Sequence, residues 1–137
     1  MAILLDASVV LAVADRADLN HPAAVAWFAR ANEPLLLGAL SLAELDVLLQ
    51  RELGVVASLA VVRSVAGGAI RLVSPTESDL RRAVQLLESA AEHRPRLTDA
   101  LLVAAAERLG VHRIATFDRR PFAVLRPRHG PGFDLEP

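Results

Sequence analysis

Four short apolar runs, each followed by a longer stretch of helical periodicity, constrain this chain more than any other feature. The runs are Ile3-Leu4-Leu5, Leu35-Leu36-Leu37, Ile70-Arg71-Leu72-Val73 and Arg113-Ile114-Ala115-Thr116-Phe117. Short apolar runs bounded by turn residues suit strands buried within a sheet. Between them the spacing changes to that of helices. Val9 to Ala14 is one such segment, and Pro22 sits where the next can begin, running to Asn32 with Val25, Phe28 and Ala29 on one side. Ser41 opens a helix to Leu53 with Leu42, Leu45, Leu48 and Leu49 on one face, and Val55 to Val65 forms another. Thr76 to Glu92 places Leu80, Val84, Leu87 and Ala91 in register, and Thr98 to Leu109 is an alanine-rich helix. Gly54, Gly67-Gly68 and Gly110 stand where three of these segments stop.

Ala123-Val124-Leu125 is a candidate fifth strand, and the Pro- and Gly-rich tail at 126–137 is predicted to be irregular. No repeat and no linker interrupts the pattern, so residues 1–137 are predicted to form one domain. Alternating strands and helices specify an α/β fold: a mainly parallel central sheet of four to five strands flanked by helices. Right-handed crossovers bring the carboxyl ends of parallel strands to one edge, where ligands bind in such sheets.

Composition narrows the chemistry. At 53% hydrophobic residues the chain can build a core, which argues against disorder. There is no cysteine, so no disulfide or thiolate metal site is possible. His21, His93, His112 and His129 lack the spacing of a zinc site, and His129 in the tail is read as a surface residue. A net charge of −1 argues against a binder driven by bulk positive charge, but not against a nuclease whose acidic site offsets its arginines. Asp6 interrupts the apolar start, no basic segment precedes it, and no apolar run approaches the roughly 18 residues of a membrane span. The reading is therefore a cytoplasmic protein with no membrane partner.

Four acids stand at the predicted strand and helix ends. Asp6 follows the first strand, Glu44 lies early in the third helix, Asp99 opens the alanine-rich helix, and Asp118 follows the fourth strand. Each has a local explanation. Ser41-Leu42-Ala43-Glu44 matches a capping box, Asp99 suits a helix dipole, and Asp6 and Asp118 suit turns or caps. Thr76-Glu77-Ser78-Asp79 resembles a capping box as well and is assigned no chemistry. As a set the four differ from isolated caps, because one sheet edge can gather them although they are remote in sequence. Clustered carboxylates repel unless a cation neutralises them. All-oxygen ligands suit Mg²⁺ or Mn²⁺, ions that bind phosphate oxygens and activate water.

At these residues the chain resembles PIN-domain ribonucleases, and more narrowly the VapC-type toxins of type II toxin–antitoxin systems. The matching pieces are Leu5-Asp6-Ala7-Ser8, Ser41-Leu42-Ala43-Glu44-Leu45, Leu97-Thr98-Asp99-Ala100 and Ala115-Thr116-Phe117-Asp118-Arg119-Arg120, with Phe122 and Arg126-Pro127-Arg128-His129 in the tail. Their order and spacing carry the resemblance, which spans essentially the whole chain. It implies a parallel sheet flanked by helices and Mg²⁺- or Mn²⁺-dependent endonucleolytic cleavage of RNA. It also implies a homodimer, and inhibition by a cognate VapB-type antitoxin whose C-terminal segment reaches the active-site groove.

Carried over by residue, the resemblance makes Asp6 and Asp99 the principal metal ligands and catalytic acids, completed by Glu44 and Asp118. Ser8 and Thr116 would support them by hydrogen bonding. Pro121 departs from the pattern, standing where relatives often carry a polar or acidic residue. Arg94, Arg96, Arg119 and Arg120 flank two of the acids and are candidates to contact RNA phosphates or antitoxin carboxylates. Trp27 and Phe28 are read first as core, with a partner groove as their alternative. Competing functions are a non-catalytic PIN-like module binding RNA or protein, a metal-dependent phosphohydrolase, and a DNA nuclease. The phosphohydrolase reading is weakened by the absence of a Gly-rich phosphate loop.

Overall fold

The computed structural model describes residues 1–137. In chain order the elements are β1 (Ile3–Leu5), α1 (Ala7–Ala14), α2 (His21–Arg30), β2 (Leu35–Gly38), α3 (Ala39–Leu53), α4 (Val55–Ala66), β3 (Arg71–Val73) and α5 (Glu77–Ser89). A 3₁₀ turn at Ala91–His93 follows, then α6 (Leu97–Leu109), β4 (Arg113–Ala115), α7 (Arg120–Val124) and β5 (Asp134–Glu136). The five strands form one sheet in the order β3-β2-β1-β4-β5, and every neighbouring pair is parallel. This is the predicted α/β architecture, at the upper end of its strand count.

Side chains of a strand alternate between the two faces of a sheet, so three apolar residues in a row require cover on both. Ile3, Leu5, Leu37 and Ala115 pack with Val9, Val10, Trp27, Leu45 and Leu49 of α1, α2 and α3. Leu4, Leu36 and Ile114 pack on the opposite side with Leu86 of α5, Val103 and Ala106 of α6, and Phe122 of α7. Each fully buried aliphatic side chain contributes roughly 1.5–3 kcal/mol relative to remaining exposed. Every residue of α6 from Asp99 to Ala106 is buried. Gly110 ends α6 at φ 67°, the left-handed conformation that glycine adopts without a Cβ penalty.

Three local expectations are corrected. Residues 123–125 are not a strand, since Val124 ends α7 and Pro121 stands in its first turn. An apolar run that short has no periodicity to separate strand from helix, and proline at a helix start favours the helix. The tail is not irregular throughout: Asp134–Glu136 is the edge strand, hydrogen-bonded to β4 in parallel. It is fastened by Asp134 N–H donating to the His112 carbonyl and Thr116 N–H donating to the Glu136 carbonyl. The Arg113 guanidinium also grips the Glu136 carboxylate.

The third correction is at Ser41, which does not cap α3. The helix begins two residues earlier, behind Gly38, and Ser41 is buried in its first turn. The box at Thr76, by contrast, is real. Thr76 Oγ1 accepts from Asp79 N–H and Asp79 Oδ2 accepts from Thr76 N–H. No helix is long and apolar enough to cross a membrane.

Candidate active site

From β1 the chain moves outward to β2 and β3, then returns to place β4 on the other side of β1. The connections leaving β1 and β4 therefore diverge, and a doubly wound sheet opens its ligand crevice at such a point, beyond the carboxyl ends of the strands. Asp6 lies there, one residue past β1, and Thr116 and Asp118 follow β4 beside it.

Asp6 is buried, with extended backbone, and caps α1. Its N–H donates to the Ala115 carbonyl at 2.9 Å, tying it to the neighbouring strand. Its Oδ2 accepts from Ser8 Oγ at 2.6 Å, from Thr116 Oγ1 at 2.8 Å and, at 3.4 Å, from Ser8 N–H. The two hydroxyls are themselves held by the loop after β4. Ser8 Oγ accepts from Phe117 N–H and Thr116 Oγ1 from Asp118 N–H, each at 2.9 Å. This arrangement orients Asp6 from both sides and engages Oδ2 alone; Oδ1 receives no protein donor and is not sealed from solvent.

Asp99 lies in the first turn of α6 and is also buried. Its Oδ2 accepts from Arg96 N–H at 3.2 Å, while Oδ1 receives no protein donor. Burial pushes its carboxyl above the usual range. The Arg96 N–H and guanidinium pull the other way, the charge of Asp6 adds to the rise, and the balance is upward. Glu44, one turn into α3, accepts from Arg96 Nη1 at 3.1 Å, and Arg96 Nε is 3.6 Å from Asp99 Oδ2. Burial would lower the Arg96 pKa, but the charges of Asp99, Glu44 and Asp6 together raise it. Asp6, Glu44 and Asp99 thus act electrostatically on one guanidinium.

Asp118 lines a cavity of about 180 Å³ with Asp99, Arg96, Arg94, Arg120 and His93. Its carboxylate makes no hydrogen bond or ion pair within the chain. Arg119, grouped with these arginines in the sequence, instead donates to the Pro137 carbonyl at 2.7 Å and does not line the cavity. His93 was not singled out by sequence; the only available signal was its position in the loop leading to Asp99. Also missed was the bridge from Arg96 to Glu44, which joins residues 52 apart in the chain.

No three acidic or histidine side chains are spaced to hold one ion in common. The donor chemistry nevertheless fits a hard divalent cation. Two buried carboxylates lie close enough for one to raise the pKa of the other, and each presents an oxygen that no protein group engages.

Away from this edge, an open groove of about 430 Å³ runs between α1, α2 and α4, lined by residues that include Val10, Val13, Phe28, Ala57 and Val61. Trp27 is core, with Nε1 donating to Glu136 Oε1 at 3.0 Å, whereas Phe28 lines the groove. His129 is packed rather than free at the surface. It stacks on His112 with ring centroids 4.3 Å apart, and its Nε2 lies 2.6 Å from the Val111 carbonyl.

The family model for the PIN domain matches residues 3–126. Ribonuclease VapC26 of Mycobacterium tuberculosis is 34% identical over 134 residues, covering 98% of this chain and 99% of that one. Among solved structures, VapC20 of M. tuberculosis, described as a sarcin–ricin loop cleaving toxin, superposes with a TM-score of 0.83 at 23% identity. That match covers 88% of this chain and 93% of that one. VapBC2 of Rickettsia felis, bound to a DNA fragment from its promoter, superposes at 0.70 and 12% identity, covering 99% and 98%.

Proposed function

Because the chain belongs to the PIN-domain family, with a VapC-type relative matching nearly its full length, we propose that it is a Mg²⁺- or Mn²⁺-dependent endoribonuclease, the toxin of a toxin–antitoxin pair. The observation that carries this reading is the pairing of Asp6 and Asp99. Both are buried at one sheet edge, and each keeps an oxygen free of protein donors. Asp6 and Asp99 would hold the ion, with Glu44 and Asp118 completing the acidic set directly or through water. Bound there, the ion supplies charge neutralisation at the scissile phosphate and acidifies a water.

The remaining roles belong to the chain. Ser8 and Thr116 hold Asp6 in one orientation. Asp118, unpaired within the chain and on the cavity wall, would accept a proton from the attacking water. Arg94 and Arg120, on the same wall and without ion pairs, would grip RNA phosphates. The groove between α1, α2 and α4 is the surface we assign to a VapB-type antitoxin, because an apolar helix face is the natural occupant of such a cleft. We also propose a homodimer acting in the cytoplasm, where RNA and antitoxin are both at hand.

The test is incubation of purified protein with total RNA in Mg²⁺, in Mn²⁺ and with chelator, beside Asp99→Asn. Cleavage confined to the metal-containing wild-type reactions supports the proposal. Equal cleavage by Asp99→Asn, or cleavage that persists in chelator, overturns it.

A further inference from the structure

We propose that Arg96 is an intrachain counter-cation that bridges Glu44 and Asp99 and competes with the divalent ion for their negative charge, so that ion binding strengthens when the guanidinium withdraws. The inference rests on the reading that Asp6 and Asp99 hold a divalent ion. Its origin is geometric. Nη1 of Arg96 is 3.1 Å from Glu44 Oε1 and Nε is 3.6 Å from Asp99 Oδ2, so one side chain spans two acids that the sequence holds far apart. The bridge brings to these acids the same sign of charge that a divalent ion would bring.

Arg96 is suited to leaving as well as to filling this place. Its backbone is fixed, because its N–H donates to Asp99 Oδ2. Its side chain is 54% exposed, so the guanidinium can rotate away from the acids without breaking the core. A guanidinium does not deprotonate in proteins, and the charges of Asp99, Glu44 and Asp6 hold this one still more firmly charged. Movement is therefore the only way its charge leaves the site. It shares a cavity wall with Arg94 and Arg120. In this scheme, ion binding frees an arginine for the substrate.

The experiment measures Mn²⁺ binding by calorimetry, and melting temperature with and without Mn²⁺, for the full chain and four variants. Arg96→Gln removes the charge but keeps the backbone donor and most of the length. Arg96→Lys keeps the charge, Arg94→Gln removes a neighbouring charge that makes no bridge, and Asp99→Asn marks the site. The expected result is Mn²⁺ affinity raised about tenfold in Arg96→Gln, because a unit positive charge a few ångströms from the ion is gone. Arg96→Lys should lie within about threefold of wild type, and Arg94→Gln should change less than Arg96→Gln because Arg94 makes no ion pair with either acid. Without metal, Arg96→Gln should melt below wild type, because unneutralised acids repel.

Affinity unchanged or weakened in Arg96→Gln overturns the proposal, and so does an equal gain in Arg94→Gln. Mn²⁺ binding that survives Asp99→Asn places the ion elsewhere and overturns it too. A chain that binds no Mn²⁺ either as wild type or as Arg96→Gln refutes the metal reading itself, an outcome distinct from the others.

Discussion

Replacing Thr116 with valine keeps the shape of a side chain with no solvent exposure and removes only its hydroxyl. That hydroxyl lies 3.2 Å from Ser8 Oγ and has two further roles. It accepts from Asp118 N–H at 2.9 Å, and its single proton is shared between Asp6 Oδ2 at 2.8 Å and the Asp118 carbonyl at 3.0 Å. A hydrogen bond to a charged group is worth about 1.5–3 kcal/mol, and an orphaned amide costs about 1–3 kcal/mol. Ser8 Oγ still donates to Asp6 Oδ2, so the lower ends of both ranges apply and the loss is about 2–3 kcal/mol. For a chain of 137 residues that corresponds to a fall in melting temperature of about 6–12 °C.

The assay is thermal unfolding followed by circular dichroism at neutral pH without divalent ions, with Thr116→Ser as the control. Serine keeps the hydroxyl and loses a methyl, at about 1 kcal/mol. If valine is no more destabilising than serine, the hydroxyl does not organise the site, and the account of how Asp6 is oriented fails.

Three further outcomes follow from the same structure. Asp99→Asn should raise the melting temperature of the metal-free protein, because the fold disfavours the charged carboxyl: burial is the main cause, and the Asp6 charge adds to it. A raised carboxyl pKa costs stability at neutral pH. The gap between variant and wild type should therefore narrow as pH falls through the raised value and close below about 4, as the unfolded chain's carboxyl is protonated too; a gap that does not change with pH refutes the assignment.

Asp79→Asn should destabilise by about 2–3 kcal/mol at pH 7, since it weakens both a capping box and the ion pair with Arg108. Burial raises the Asp79 pKa, but Arg108 and Thr76 outweigh it and hold the carboxyl below its usual range. Its contribution is complete above about pH 4 and disappears as pH falls through the depressed value, a trend that denaturant titrations across pH will read. Gly110→Ala should cost about 1 kcal/mol in urea unfolding. A Cβ there meets nothing within 4 Å, so the loss comes from the φ of 67° alone, and an unchanged midpoint would contradict that.

Much of this molecule can be read from local pattern. Ile3-Leu4-Leu5 and Leu35-Leu36-Leu37 become strands covered on both faces because three consecutive apolar side chains admit no solvent face. The position of Asp6 after a strand, and of Asp99 in the first turn of an alanine-rich helix, likewise follows from neighbours within a few residues. Parallel topology then brings them to one edge.

What only the tertiary structure decided depends on partners distant in the chain. Asp134–Glu136 alternates polar and apolar residues over three positions, too short to show a period, and becomes a strand because β4 offers it an edge. Ser41 reads as a cap until the sheet places the end of β2 at Gly38 and starts α3 earlier, which leaves Glu44 free to meet Arg96. The bridge by Arg96 is the clearest case. Helix and strand propensities act over a few residues, whereas an ion pair needs two side chains within a few ångströms, and only the sheet edge that gathers the first turns of α3 and the residue before α6 supplies that distance.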